Sequence, residues 1–305
     1  TEVCSMTGGP FCLGGSELGI DMAKEAPTYC VKEISEDVGG DLIGGILESN
    51  MDLSDEKIIL IDIGSTVQLA LGNKDLITVC SSESGPALDG GNVTFGMTPS
   101  IGAIDSIIYR NKEINHTVIG GTTPIGICGS GLIDLVSQMF TNGIIDACGR
   151  FTKDAETFDS INGTAYTVVG DIYVTEDDIY AVMKAKAAVY AGLMTLMIES
   201  NIDIEGISKV VISGSFGNFI NADNAISLGM IPEVNRDKIN YLGNASMTYA
   251  RNVLLSEDIR NRAEAVRTVI KAIDFNNGTY ENEFNNACFI PDKKTMTEKD
   301  KDGSF

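Results

Sequence analysis

No two of the seven cysteines, at positions 4, 12, 30, 80, 128, 148 and 288, stand at C-x-x-C spacing, and their number is odd. That pattern argues against a disulfide scaffold, a zinc site and a cysteine-ligated iron–sulfur cluster. Cys80 and Cys128 lie in apolar stretches and read as small core residues. Basic residues are scarce as well: 22 Lys and Arg against 43 Asp and Glu leave a formal net charge of −21. Such a balance argues against nucleic acid as a partner, because phosphate backbones need a basic surface. Solubility is the plainest use of the charge. No apolar run reaches the length of a membrane span, and no basic-then-apolar signal peptide opens the chain. A cytoplasmic location without a membrane partner is the expectation. Five N-x-S/T sequons, at Asn92, Asn115, Asn162, Asn244 and Asn277, matter only in a secreted protein. The first residue is Thr1, which fits a processed product or a piece of something longer. His116, the only histidine, is placed in a polar loop and left without a role.

What is present is globular in composition: 43% hydrophobic, 21% charged, with 33 glycines spread along the 305 residues. That length suits one large domain or two modest lobes. Residues 1–30 read as a loop-like lead-in, followed by a helix near 35–50 that Ser35 and Asp37 could start. The clearest strand is EKIILIDIG at 56–64, with VQLALGN (67–73) and LITVCSS (76–82) after it and Asn73-Lys74-Asp75 as the turn. Three strands so closely joined make a meander, not a dinucleotide-binding βαβ unit. ESGPALDGGNVTFGM (83–97) reads as an ordered glycine loop, and 126–143 as a loop running into a helix. Residues 175–200 carry the strongest helical period, with Thr175 and Asp178 as a capping box. A buried strand and glycine turn fill 207–220, a helix begins within 221–229, and the last clear helix is 256–272.

Three glycine turns could carry chemistry. Asp62-Ile63-Gly64-Ser65-Thr66 closes the first hairpin: Gly64 lets the backbone bend, the turn amides and the Ser65 and Thr66 hydroxyls can donate to phosphate, and Asp62 can hold Mg2+ through water. Alone, this turn reads as an ordinary hairpin. Gly129-Ser130-Gly131 opens a helix, where exposed amides and the helix dipole suit an anion; close packing of a helix on a sheet explains the glycines equally well. Ser213-Gly214-Ser215-Phe216-Gly217 follows an apolar strand, and its small residues admit a flat base and ribose. A plain strand-to-helix turn is the competing reading.

In this order the three turns resemble those of actin, the heat-shock chaperones and the sugar kinases. The resemblance implies an α/β, actin-like ATPase fold of ribonuclease H-like type, with mixed sheets flanked by helices. It also implies phosphate at the hairpin turn and adenosine at the late glycine turn. The strings SEDVGGDLIGGIL, LIDIGSTVQLALGNKD, SSESGPALDGGNVTFGM, GICGSGLIDLV, GIIDACGRF, AKAAVYAG, SGSFGNFINADNAISLGMIP and LGNASM resemble, in order, the C-terminal domain of the reductive activators of corrinoid proteins. The match runs from about residue 15 to Pro291. It implies ATP and Mg2+ as cofactors, cytoplasmic anaerobic methyl-transfer metabolism, and nucleotide-linked docking that supports return of cobalt(II) corrinoid to cobalt(I). The partner implied is a corrinoid protein or other tetrapyrrole enzyme, with a separate iron–sulfur protein and a homodimer as further options.

Two departures stand beside this. The family's iron–sulfur segment and its first phosphate-loop lobe have no counterpart in the chain. Where the family commonly reads Asp-Ile-Gly-Thr-Asn-Gly-Glu, Ser65, Thr66, Val67 and Gln68 stand here, so a neutral side chain replaces a carboxylate. Residues 1–55 are therefore read as a lead-in and remnant of a preceding lobe, and 56–305 as an actin-like ATPase-type lobe. The alternative function is a non-catalytic nucleotide-binding or protein-interaction module of the same fold. A small-molecule kinase is disfavoured, since no catalytic base stands out. Glu83, Asp89, Lys184 and Lys186 are each read as surface or capping residues.

Overall fold

In the computed structural model, residues 11–14, 19, 21, 27–214, 220–275 and 278–290 are described. A short hairpin of β1 (Phe11–Gly14) and β2 (Pro27–Cys30) leads to α1 (Asp41–Glu48). Then come the meander strands β3 (Lys57–Ile63), β4 (Thr66–Asn73) and β5 (Leu76–Glu83). An insertion follows. It holds β6 (Ala103–Arg110), β7 (Glu113–Val118) and β8 (Gly126–Ile127), then α2 (Gly129–Thr141), then the antiparallel strands β9 (Thr157–Ser160), β10 (Gly163–Val169) and β11 (Ile172–Thr175). Helix α3 (Glu176–Ser200) returns the chain to β12 (Ile207–Gly214), α4 (Ala222–Ser227) and β13 (Ile239–Gly243). The remaining elements are α5 (Ala245–Leu255), α6 (Glu257–Val266), β14 (Ile270–Ala272) and α7 (Thr279–Ala287).

The central sheet has the order β13-β12-β3-β4-β5-β14. Its middle is the antiparallel meander, and β12 and β14 add parallel strands on either side. The sheet is mixed because the meander needs only tight turns, whereas a parallel neighbour requires a long crossover. Both faces are covered, which is why the strands read as unbroken apolar runs. Ile59, Ile61, Ile63, Val67, Leu69, Val210 and Ile212 join the core shared with α2 and α3. Their alternates Ile58, Leu60, Ala70, Val79 and Val211 join the core shared with α1 and α5. Strand periodicity thus deals one residue to each layer in turn.

The capping box at Thr175 is formed: Thr175 N donates to Asp178 Oδ2 at 2.9 Å, and Asp178 N donates to Thr175 Oγ1 at 3.2 Å. The expected turn after Asn73 is also present, with Asp75 N donating to Asn73 Oδ1 at 3.2 Å.

Several expectations need correction. The first helix begins at Asp41, not near 35, and no side chain caps it. A Cβ at Gly40 would collide with the Lys32 carbonyl, so this glycine serves close backbone packing ahead of the helix. The expected helix 256–272 ends at Val266, and its last residues become β14. A single 3-10 turn at Arg267–Val269 ends the helix, and the open edge of β5 supplies the hydrogen bonds that hold Ile270–Ala272 extended. His116 lies on β7 rather than in a loop. Lys186 is fully buried, and its Nζ donates to the Phe289 carbonyl at 2.5 Å. Within the 25 residues of helix α3, an 18-residue stretch of mean hydropathy 1.4 is long and apolar enough to span a membrane by composition. It belongs instead to a core helix, with 72% of that stretch buried inside the protein.

Candidate functional site

The sheet brings two of the three turns together directly. Parallel pairing of β12 with β3 sets Ser213 opposite Asp62 and Gly214 opposite Ile63. Gly214 has φ +118°, and a Cβ there would strike the Ile63 carbonyl oxygen, so only glycine fits. Gly64 differs: its φ is not positive, and a Cβ would meet only Thr66 O at an ordinary 3.4 Å. Backbone freedom is therefore not what Gly64 supplies, and a Cβ would fit there without a clash. Ser65 and Thr66 are exposed beside it. Ser84 braces the turn from beneath, its hydroxyl donating to Gly64 O at 2.8 Å and to Ser65 O at 3.0 Å.

Asp62 sits half-buried at the base of the turn. Burial pushes its carboxyl up from 3.8 to about 6; contact with Ser213 pulls it down, and the Asp41 carboxylate pushes it further up. The Ser213 hydroxyl is fully buried and has no well-formed hydrogen bond of its own. Its polar neighbour is the Asp62 carboxylate, which it favours in the charged form. Asp41 and Gln68 complete the surroundings. Gln68 Nε2 donates to Asp41 Oδ2 at 2.9 Å, and Gln68 Oε1 accepts from Gly39 N at 3.1 Å. The neutral side chain thus ties the start of α1 to the hairpin. Asp41 escaped the sequence reading because it was buried in a presumed helix interior, whereas it opens that helix.

Gly129-Ser130-Gly131 lies at the start of α2 and is buried. A Cβ at Gly129 would strike the Leu88 carbonyl, and one at Gly131 the Ile104 carbonyl. Ser130 donates to Asp105 O at 2.8 Å. These residues pack the helix closely on the insertion, and the Ser130 hydroxyl is already occupied. Leu88 is four residues beyond Ser84, so the segment that braces the first turn also carries the wall met by Gly129.

Ser215 and Gly217, with Phe216, lie outside the described residues. The helix that follows them is well anchored. Asn221 caps α4, and Asn224 receives Gln138 Nε2 at 3.0 Å on its Oδ1 and donates to Asp134 Oδ1 at 2.6 Å. Asp134 Oδ2 also accepts from Ile107 N at 3.0 Å. A single buried junction therefore connects α2, β6 and α4. Its members, from Ile107 to Asn224, are separated by up to 117 residues, and no local pattern announces them.

A cleft of about 420 Å³ opens beside Thr66, walled by Asp37, Glu83 and Tyr280. Tyr280 stacks on Phe275 with ring centroids 4.2 Å apart and shares a 2.7 Å hydrogen bond with Ser82. Among the described residues, no group of three or more His, Cys, Asp or Glu side chains could hold a metal. The donor set suits a hard cation only where phosphate and water supply most of its oxygens, with Asp62 as the protein carboxylate.

A six-strand sheet of this order, with a meander, three parallel additions and helices on both faces, defines an α/β domain of the actin-like ATPase class. The family model described as the C-terminal domain of RACo, the ASKHA domain, matches residues 56–300. The chain belongs to that family. It is 34% identical over 234 residues to the corrinoid activation enzyme RamQ of Eubacterium limosum, covering 71% of this chain and 40% of the relative. A [Co(II) methylated amine-specific corrinoid protein] reductase of Methanosarcina barkeri is 29% identical over 262 residues, 79% of this chain and 46% of the relative. The solved structure of a reductive activator for corrinoid, iron-sulfur protein superposes with a TM-score of 0.89 at 31% identity, over 92% of this chain and 47% of that one. The chain thus spans less than half the length of each of these relatives.

Proposed function

We propose that this chain acts as the ATP-binding C-terminal lobe of a reductive activator of a corrinoid protein, supporting return of cobalt(II) to cobalt(I) through nucleotide-linked docking. The relatives named for corrinoid activation support the reaction class. The observation that carries the nucleotide reading is the pairing of Asp62 with the buried Ser213 hydroxyl beneath an exposed Ser65-Thr66 turn. In this reading Ser65 and Thr66 orient phosphate oxygens, and Gly214 allows the ribose close to the backbone. Asp62 holds a water-bound Mg2+, which when bound neutralises phosphate charge. Ligand-driven closure requires that ATP bind one arrangement more tightly than the other. Residues 1–55 are the lead-in and remnant of a preceding lobe, and 56–305 the ATPase-type lobe. The partner is a corrinoid protein or other tetrapyrrole enzyme, and the setting is cytoplasmic.

Thermal melting with and without Mg·ATP tests the nucleotide, and pull-down against a corrinoid protein tests the partner. A rise in Tm with ATP and capture of the corrinoid protein support the proposal; an unchanged Tm refutes nucleotide binding by this chain. A second reading, a non-catalytic module, is favoured by one observation: Gln68 is neutral and committed to Gly39 and Asp41. A Tm rise without phosphate release would select it.

A further inference from the structure

Two cysteines that play no part in the nucleotide reading line one cleft. Cys148 is exposed, Cys288 is half-buried, and both are free thiols on the walls of a cavity of about 410 Å³. The segments that carry them are held together. Ile290 N donates to Ala147 O at 2.9 Å, so Cys148 directly follows one member of that bonded pair and Cys288 precedes the other by two residues. The first segment is a tight turn in which Asp146 Oδ1 accepts from both Cys148 N at 2.8 Å and Arg150 N at 2.9 Å. The second is clamped by the buried Lys186, which donates to Phe289 O.

We propose that Cys148 and Cys288 form a reversible intramolecular disulfide that fastens the end of α7 to the Asp146–Arg150 turn. The Ala147–Ile290 hydrogen bond holds the two anchored segments side by side with each cysteine within two residues of it, and the bridge needs a Cα separation of about 4.4–6.8 Å. Burial raises the Cys288 thiol above its usual range against the pull of Lys186 and Lys184, so the accessible Cys148 reacts first. The co-reactant is a low-molecular-weight disulfide. The Cys148 thiolate attacks one of its sulfurs, forming a mixed disulfide and releasing one thiol. The Cys288 thiolate then attacks the Cys148 sulfur and releases the second thiol. Two protein thiols are oxidised and one small disulfide is reduced to two thiols. Helix α7 also carries Tyr280, bonded to Ser82 beside the Thr66 cleft, so the clamp restrains an element that walls it.

The test is incubation of the full chain with glutathione disulfide, alkylation of remaining thiols and peptide mapping. A peptide joining Cys148 to Cys288 is expected, with Cys80 and Cys128 still alkylated only after unfolding. The oxidised chain should melt about 5 °C higher than the reduced one, a gap that Cys148→Ser removes while leaving the reduced Tm unchanged. Absence of the joined peptide, a stable glutathione adduct at Cys148, or a bridge through Cys4, Cys12 or Cys30 overturns the proposal.

Discussion

The Gln68 side-chain amide donates to the Asp41 carboxylate at 2.9 Å, which joins the first turn of α1 to the hairpin that ends at Asp62. Two carboxylates are thereby kept close to each other with a neutral group between them. Gln68→Glu places a third negative charge at this point and removes the donor. The variant should lose about 1 kcal/mol in metal-free buffer, and Mg2+ should return part of that loss. Urea unfolding with and without Mg2+ reads both effects; equal losses in the two buffers would show that no cation is drawn to these carboxylates.

Asp62 makes stability depend on pH in a direction opposite to that of a salt-bridged carboxylate. Its folded value is about 6 against 3.8, so between these values the folded chain holds more protons than the unfolded one. Stability therefore falls as pH rises from roughly 4 to 6, and the cost of the buried charge is complete above that. Asp62→Asn should be more stable than the parent at pH 7.5 by up to about 3 kcal/mol, with little difference at pH 4. The same variant should lose any Tm rise caused by Mg·ATP, a stability gain at the expense of the site. A gap that is constant with pH would assign the shift elsewhere.

Asn224→Ala removes the donor to Asp134 and the acceptor for Gln138 in the junction of α2, β6 and α4. Asp134 is only 2% exposed, so its carboxylate is left with a buried lone pair unmet. A loss of about 3 kcal/mol is expected. Hydrogen exchange should quicken in both α2 and α4, because one side chain holds them; faster exchange in α4 alone would contradict a shared junction.

Gly214→Ala meets two obstacles at once, a φ of +118° and the Ile63 carbonyl. It should cost 3 kcal/mol or more, on the order of other strained backbone positions with a steric clash. Gly64→Ala, with only a 3.4 Å contact to Thr66 O, should change Tm little yet weaken nucleotide binding. Melting curves of the two variants, with and without Mg·ATP, separate a structural glycine from one that keeps a surface open.

The elements that could be read in advance share a physical basis. In 56–82 both sheet faces are buried, so the strands are written as β-branched runs, and Asn73-Lys74-Asp75 announces the reversal. Thr175 and Asp178 announce the start of α3 because a cap is a local bond across three residues. Family blocks pointed to the fold and to the hairpin and strand-end turns. The rest eluded pattern reading for equally physical reasons. β14 exists because the edge of β5 is available, α7 packs through only a few apolar residues, and the glycines at 129 and 131 look alike whether they admit an anion or a neighbouring carbonyl.

Local chemistry in the chain determined which segments would be strands, where the long helix begins and which turns are built of small residues, since propensity, capping and turn formation act over a few residues. Tertiary structure alone decided that Ser213 faces Asp62, that Asp41 comes within its field, and that Lys186 is enclosed in the core. Those outcomes depend on strand register and on burial, which join residues as far apart as Asp62 and Ser213 and leave no mark on any short stretch of sequence.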